Sequence, residues 1–204
     1  MSKTIFIAGC DGKVGRAVSE LFADNGWNVV GADIKDSTEA KVTQFISLDV
    51  ADADAVAKAA EEVDQKTPVD AVLNAAGYEV GKDFEETSDD EWAKLLCTIL
   101  GGSGNLCKAF APKMAERKDG KIILISSDYS RECGDHVIDA TAANTLHGFG
   151  KSFGVEMAPE NVLVNVLFVN TPFDLKKVAE TVFFLADKDT YTSAQVVSIT
   201  GLDQ

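Results

Sequence analysis

Three glycines in the run Gly9-Cys10-Asp11-Gly12-Lys13-Val14-Gly15 constrain this chain most, because of what flanks them. Before them lies a short apolar run, Thr4–Ala8, and after them Val14, Val18, Leu21 and Phe22 recur at helical spacing. The pattern predicts a buried strand, a tight turn and an amphipathic helix. Gly9 permits the turn, Gly12 lets backbone approach a pyrophosphate, and Gly15 lets helix and strand pack closely. The phosphates of a dinucleotide then meet the positive helix N-terminus. A glycine-rich turn carries this meaning only between a strand and a helix, and here it stands there.

The same alternation continues along the chain. Short apolar runs predict strands at Asn28–Ala32, Ala71–Asn74, Lys121–Ser126, Leu163–Phe168 and Gln195–Ile199, with a weaker one at Gln44–Leu48. Helical spacing lies between them, as in Val56, Ala59, Ala60 and Val63 behind Asp52, a candidate N-cap. Strands separated by helices imply right-handed crossovers and a parallel sheet covered on both faces. The expected fold is therefore α/β, a Rossmann-like doubly wound sheet of about seven strands. No linker or repeat divides residues 1–204, so one dinucleotide-binding domain is expected.

The charge balance narrows the partners. Lys plus Arg is 19 against 33 Asp plus Glu, a net charge of −14, which disfavours nucleic acid and anionic membrane surfaces. No apolar stretch approaches the roughly 20 residues that cross a bilayer, and the N-terminus lacks a signal-peptide layout. Cys10, Cys97, Cys107 and Cys133 lack metal-site or redox spacing, so free thiols in a reducing cytoplasm are expected, and no metal.

Asp33 ends the second predicted strand, with Ile34 beside it. A carboxylate there accepts both ribose hydroxyls of NAD and repels the extra phosphate of NADP. Lys35 blurs that preference, and Asp11 adds negative charge near the phosphates without evident reason. Lys13 either contributes charge to the phosphates or points to solvent.

Beyond these residues, Asn74-Ala75-Ala76-Gly77 follows the strand at Ala71–Asn74, and Leu146-His147-Gly148-Phe149 lies within a helical stretch after Ser127. Together with the glycine turn and Asp33 they resemble the short-chain dehydrogenase/reductase family across nearly the whole chain. The resemblance implies an oxidoreductase that binds NAD through Gly9, Gly12, Lys13, Val14, Gly15, Asp33, Ile34, Asp49, Val50 and Asn74 to Gly77. In it, Asp49 and Val50 match the adenine contact, and Asn74 to Gly77 the motif beside the adenosine ribose. It implies a small-molecule substrate and a homodimer or homotetramer built on helices near residues 88–115 and 138–157.

The resemblance also identifies what is missing. Registered on Leu146–Phe149, the family's Tyr-x-x-x-Lys falls on Asp139 and Ala143, and the Asn of its proton relay falls on Ile99. Ser127 alone is kept. Val169-Asn170-Thr171-Pro172 replaces a longer P-G-x-x-x-T motif, and the segment that usually covers substrate is nearly absent. The glycine spacing also departs from that of typical members with the Tyr-Lys pair. Asp139 and Tyr129 are candidate replacement acids, beside Asp128, Arg131 and His136, because a partly buried carboxyl can donate a proton near neutrality. His147 reads as structural. Three functions stay open: an atypical oxidoreductase, a nucleotide-binding subunit without turnover, and a lyase or isomerase using Asp139.

Overall fold

The computed structural model describes residues 2–127, 136–170, 173–187 and 191–199. Its strands are β1 (Thr4–Ala8), β2 (Asn28–Asp33), β3 (Gln44–Ser47), β4 (Ala71–Asn74), β5 (Gly120–Ser127), β6 (Val162–Val169) and β7 (Val196–Ile199). Its helices are α1 (Lys13–Asp24), α2 (Ala53–Asp64), α3 (Asp89–Leu96), α4 (Gly102–Arg117), α5 (Val137–Met157) and α6 (Leu175–Asp187). The described strands pair in parallel in the order β3-β2-β1-β4-β5-β6-β7, a doubly wound sheet. The order reverses between β1 and β4. In such sheets a crevice opens there, outside the carboxyl ends of the strands.

Two apolar layers hold helices to the sheet, and strand alternation decides which residue joins which. Phe6, Ala8, Ile122 and Leu124 face one way, with Leu106 and Phe110 of α4 and Leu146 of α5. Ile5, Ile7, Leu73 and Ile123 face the other, with Val18 and Phe22 of α1 and Val178 and Val182 of α6. Each fully buried side chain of this size contributes roughly 1.5–3 kcal/mol of transfer free energy. The first layer is pinned by Phe6 against Phe110, ring centroids 4.8 Å apart. In the second, Phe22 meets Trp27 and Phe183 edge-on, each at 5.0 Å.

Local signals set the helix starts. Asp52 caps α2, its carboxylate accepting from the N–H groups of Asp54 and Ala55 at 3.1 and 3.0 Å. Ser88 and Glu91 form a reciprocal capping box on α3. The glycines after residue 100 do not end the helix: a π-helical turn, Cys97–Gly101, joins α3 to α4. Gly102 lets α4 approach the turn after β3, since a Cβ there would lie 2.6 Å from a Val50 methyl. No described helix is long and apolar enough to cross a membrane.

Candidate active site and nucleotide cleft

A cleft of about 350 Å³ lies at the reversal between β1 and β4. Gly9, Gly12, Asp33, Ile34, Asp49, Val50 and Ala75–Gly77 line it, all of them residues expected from the sequence to contact a cofactor. Asp11, Lys35, Leu48, Tyr78, Lys94 and Thr98 also line it. Tyr78, Lys94 and Thr98 escaped the sequence reading. Lys94 and Thr98 lie one helical turn apart on α3 and the π turn, a signal visible only once that helix is known to cross the cleft.

The glycines divide by what demands them. Gly9 has φ +74°, and a Cβ there would lie 2.6 Å from backbone atoms of Ala75 and Ala76. A Cβ on Gly15 would lie 2.1 Å from the Gly9 carbonyl oxygen. Those two are required by the fold. Gly12 has ordinary extended backbone, φ −73°, and a Cβ there would meet only the Gly9 carbonyl at 3.4 Å. Nothing within the protein requires glycine at 12, whereas close approach of a ligand to the turn does. Behind it, α1 begins with no side-chain cap and no acidic residue in its first turn. Its exposed N–H groups suit an anion. By these observations the turn fits a dinucleotide's diphosphate. Lys13 is exposed and, like Val14 and Gly15, does not line the cleft.

Asp11, unexplained in the sequence, is the hub that folds the loop after β2 against the turn. Its carboxylate takes Thr38 Oγ1–H at 3.1 Å and Glu39 N–H at 3.2 Å, and it pairs with Arg16 at 2.8 Å and with the Lys35 ammonium. Lys35 above all, with the Glu39 amide, Arg16 and Thr38, holds the Asp11 carboxyl far below the usual carboxylate range. Its own N–H donates to Asp33 Oδ2 at 3.0 Å, which aims the Asp33 carboxylate. Arg16 also pairs with Glu39 at 2.8 Å. Arg16 and Lys35 are therefore both paired with carboxylates of the protein. Cys10 is buried under this turn, and burial pushes its thiol pKa up.

Asn74 does not line the cleft. Its side chain is buried, donating to Ser103 Oγ at 2.8 Å and accepting from Ala76 N–H at 3.1 Å. It shapes the Ala75–Gly77 turn rather than presenting itself to ligand.

The other end of the crevice is built differently. Asp139 is 4% exposed, and its two oxygens accept from Val80 N–H at 2.8 Å and Gly81 N–H at 2.9 Å. This carboxylate thus clamps the loop after β4 to the first turn of α5. Val80 then packs with Trp92, Leu95, Leu96, Ile99, Ile138 and Ala142 in a small third apolar cluster. Ile99 lies in the π turn and packs there.

A second cavity of about 170 Å³ adjoins, lined by Ala143, Leu146, Ile99, Ile125, Ser126 and residues 75–79. Ser126 is buried, its hydroxyl 3.2 Å from the Ala143 carbonyl and 3.2 Å from His147 Nε2. With the hydroxyl proton on the carbonyl, Nε2–H is the donor to Ser126. Burial lowers the His147 pKa, favouring that neutral ring. Tyr78 lines both cavities, and burial first, then Asp139, raises the pKa of its phenol. Ser127 ends β5 in register with Val169. Asp128, Tyr129, Arg131 and Cys133 lie outside the described residues, as do Thr171 and Pro172. His136 caps α5 with φ +58°. Among the described residues no cluster of His, Cys, Asp and Glu is arranged to hold a metal.

A doubly wound sheet with a phosphate-ready turn at its switch point defines a dinucleotide-binding fold. Residues 3–176 match the family model described as short chain dehydrogenase, and the chain belongs to that family of NAD(P)-binding oxidoreductases. It is 26% identical to the 3-oxoacyl-[acyl-carrier-protein] reductase FabG of Thermotoga maritima, covering 98% of this chain and 96% of the relative. The alignment spans 239 positions, so the relative carries segments this chain lacks. It is 30% identical to the oxidoreductase UcpA of Escherichia coli, over 83% of this chain and 70% of that protein. Among solved structures, ElxO with NADP bound superposes with a TM-score of 0.90 at 21% identity, 98% of each chain being covered. A short chain dehydrogenase from Leptospira borgpetersenii with bound NAD+ superposes with a TM-score of 0.90 at 20% identity, covering 98% of this chain and 92% of that one. These last two likenesses establish the fold.

Proposed function

We propose that the protein binds NAD(H) in the larger cleft, in preference to NADP(H), and that it has lost the family's ordinary carbonyl reduction. Bound there, the cofactor supplies a hydride donor or acceptor. Gly9, Gly12 and the first turn of α1 would hold the diphosphate, Asp33 the adenosine ribose, and Asp49 and Val50 the adenine. One observation carries the preference: Arg16 and Lys35, the cations that could neutralise a ribose phosphate, are both bound to carboxylates of the protein. A phosphate beside Asp33 would meet negative charge, with Arg16 and Lys35 already paired to Asp11. Titration calorimetry should show NADH binding at least about tenfold tighter than NADPH, a difference near 1.4 kcal/mol. Equal affinities, or no binding below millimolar concentration, would overturn the reading.

The lost reaction rests on Asp139, whose oxygens are spent on Val80 and Gly81. A panel of ketones and alcohols should show little turnover, since removing an acid/base group alone costs about 10²–10⁴-fold in rate. A second reading, an oxidoreductase with a rebuilt acid, has one point in its favour: Tyr78 brings a protonated phenol to the boundary of the two cavities. It predicts turnover that Tyr78→Phe abolishes. The assembly we propose is a homodimer or homotetramer through α4 and α5. A Cβ at Gly104 or Gly148 would meet nothing within 4 Å, and Val137 and Val155 of α5 are exposed. Light scattering against the 21.7 kDa chain mass tests it.

A further inference from the structure

We propose that residues 77–81 form a lid on the path between the two cavities, with Tyr78 as its moving side chain and the Asp139 carboxylate as its latch. The proposal rests on the NAD(H) reading only for the ligand that passes the lid. Ala75, Ala76, Gly77 and Tyr78 line both the larger cleft and the smaller cavity, so a ligand extended from one into the other runs along this stretch. Its two ends are fixed. Upstream, Ala75 N–H donates to the Ala8 carbonyl at 2.9 Å and Ala76 N–H to Asn74 Oδ1 at 3.1 Å. Downstream, Lys82 pairs at 2.6 Å with Glu91, which belongs to the capping box that starts α3.

Between those ends the backbone can swivel at two places. Among the described residues a Cβ on Gly77 would meet an Ile99 side-chain atom at 4.0 Å, and Gly81 has φ +64° with open space around it. Tyr78 and Glu79 between them are exposed, and the Lys94 ammonium stands 5.9 Å from the Tyr78 ring centroid. The stretch is held down by Asp139, which takes Val80 N–H at 2.8 Å and Gly81 N–H at 2.9 Å, and by the small cluster that receives Val80. Both amides answer to one carboxylate, so they are released together. A segment with exposed backbone and few buried apolar contacts opens more readily than the sheet beneath it. Asp139 lines neither cavity, so a seated ligand need not disturb its bonds. Removing the latch should therefore speed entry and exit by one factor and leave the dissociation constant nearly unchanged.

Amide hydrogen exchange of the full wild-type chain, followed by NMR over low denaturant concentrations, tests the lid without ligand. The Val80 and Gly81 amides should exchange by a local opening, faster than Leu73 in β4 and with almost no dependence on denaturant. Exchange of both with the denaturant dependence of Leu73 would mean that they open only with the whole fold, and would overturn the proposal. Stopped-flow NADH fluorescence tests the path. Asp139→Asn should raise association and dissociation rates alike by about fivefold, the factor matching one hydrogen bond of ordinary net strength. Tyr78→Ala should speed association by a similar factor while exchange at Val80 and Gly81 stays as in wild type. NADH rates unchanged in both variants would show that the segment is not on the ligand's path, and would overturn the lid while leaving the NAD(H) site standing. Absence of NADH binding to wild type would overturn the NAD(H) reading instead, and the exchange result alone then decides the lid.

Discussion

The two ends of the crevice contain similar residue types used in opposite ways. Asp33 and Asp139 are both carboxylates that accept backbone N–H groups. Asp33 takes the Asp11 amide and still faces the cleft, whereas Asp139 is buried and gives both oxygens to Val80 and Gly81. Asp11 and Ser126 are likewise buried polar groups. The first organises a loop so that its neighbour Asp33 stays aimed at ligand; the second closes a contact between β5 and α5. Ligand recognition depends on polar capacity left over after the fold is satisfied. That surplus remains at Asp33 and is not found at Asp139.

The largest effect expected from breaking this contrast comes from the glycines. Gly15→Ala forces a Cβ into the Gly9 carbonyl, 2.1 Å away, so the turn must shift. Overpacking against backbone should cost about 3 kcal/mol or more, read as a lower denaturation midpoint. Gly12→Ala has room beside Gly9 and should leave that midpoint nearly unchanged. Its NADH affinity should nevertheless fall at least about tenfold, because the methyl occupies the phosphate approach. If Gly12→Ala binds NADH normally, the diphosphate does not lie against this turn.

At the opposite end the expectation reverses. Asp139→Asn replaces one acceptor oxygen by an amide that faces an N–H donor, leaving a buried donor unsatisfied. Stability should fall by about 1–3 kcal/mol, with NADH affinity within about threefold of wild type. Adding Asp139→Tyr and Ala143→Lys together should restore no carbonyl reduction, since the tyrosine removes the clamp on Val80 and Gly81. Recovered reduction in that double variant would show that the old pocket survives beneath the clamp.

How far the sequence revealed this contrast follows from the range of the forces involved. Strands buried on both faces read as continuous apolar runs, so β1 and β4 were legible to the residue and β5 and β6 within one. β3 was faint because it is an edge strand, with none of its residues fully buried. The glycine turn was legible because Gly15 answers to Gly9 and Cys10, close in the chain, whereas the contact of Gly9 with Ala75 and Ala76 was not. Asp11 was not, since its partners lie at 35–39 and depend on how that loop returns. Asp139 is the clearest case. Its partners stand 58 and 59 residues away, in a loop whose packing no local pattern reports. Tyr78 and Lys94 meet only once α3 is laid across the cleft.

A smaller shift is expected from Asp11→Asn. It should loosen the hold on Arg16 and Lys35 and free them for an added ribose phosphate, so NADPH should gain several-fold relative to NADH. Asp33→Ala should reduce the preference from the other side. If neither changes the ratio, Asp33 does not read the ribose.

The least effect, and the most specific to the closed end, is a pH dependence of stability set by His147. Its folded pKa lies below the ordinary value of 6.5 because burial disfavours the charged ring. The unfolded chain then binds a proton at higher pH than the folded one does, so stability must fall as pH drops below about 6.5. The loss continues until the folded pKa is passed. Protonation also sets a cation against Phe168, whose ring centroid is 6.1 Å from that of His147. The carboxylates Asp11 and Glu91, the latter held near about 2 by Lys82 and Ser88, lose their contribution only below the ordinary carboxylate range. The window from 6.5 to 5.5 therefore lies above the range in which those carboxylates act. Denaturation midpoints measured across it should decline for wild type and stay level for His147→Gln, which can still donate to Ser126. A decline of equal size in both proteins would assign the titration elsewhere and leave the Ser126–His147 contact without a measurable role.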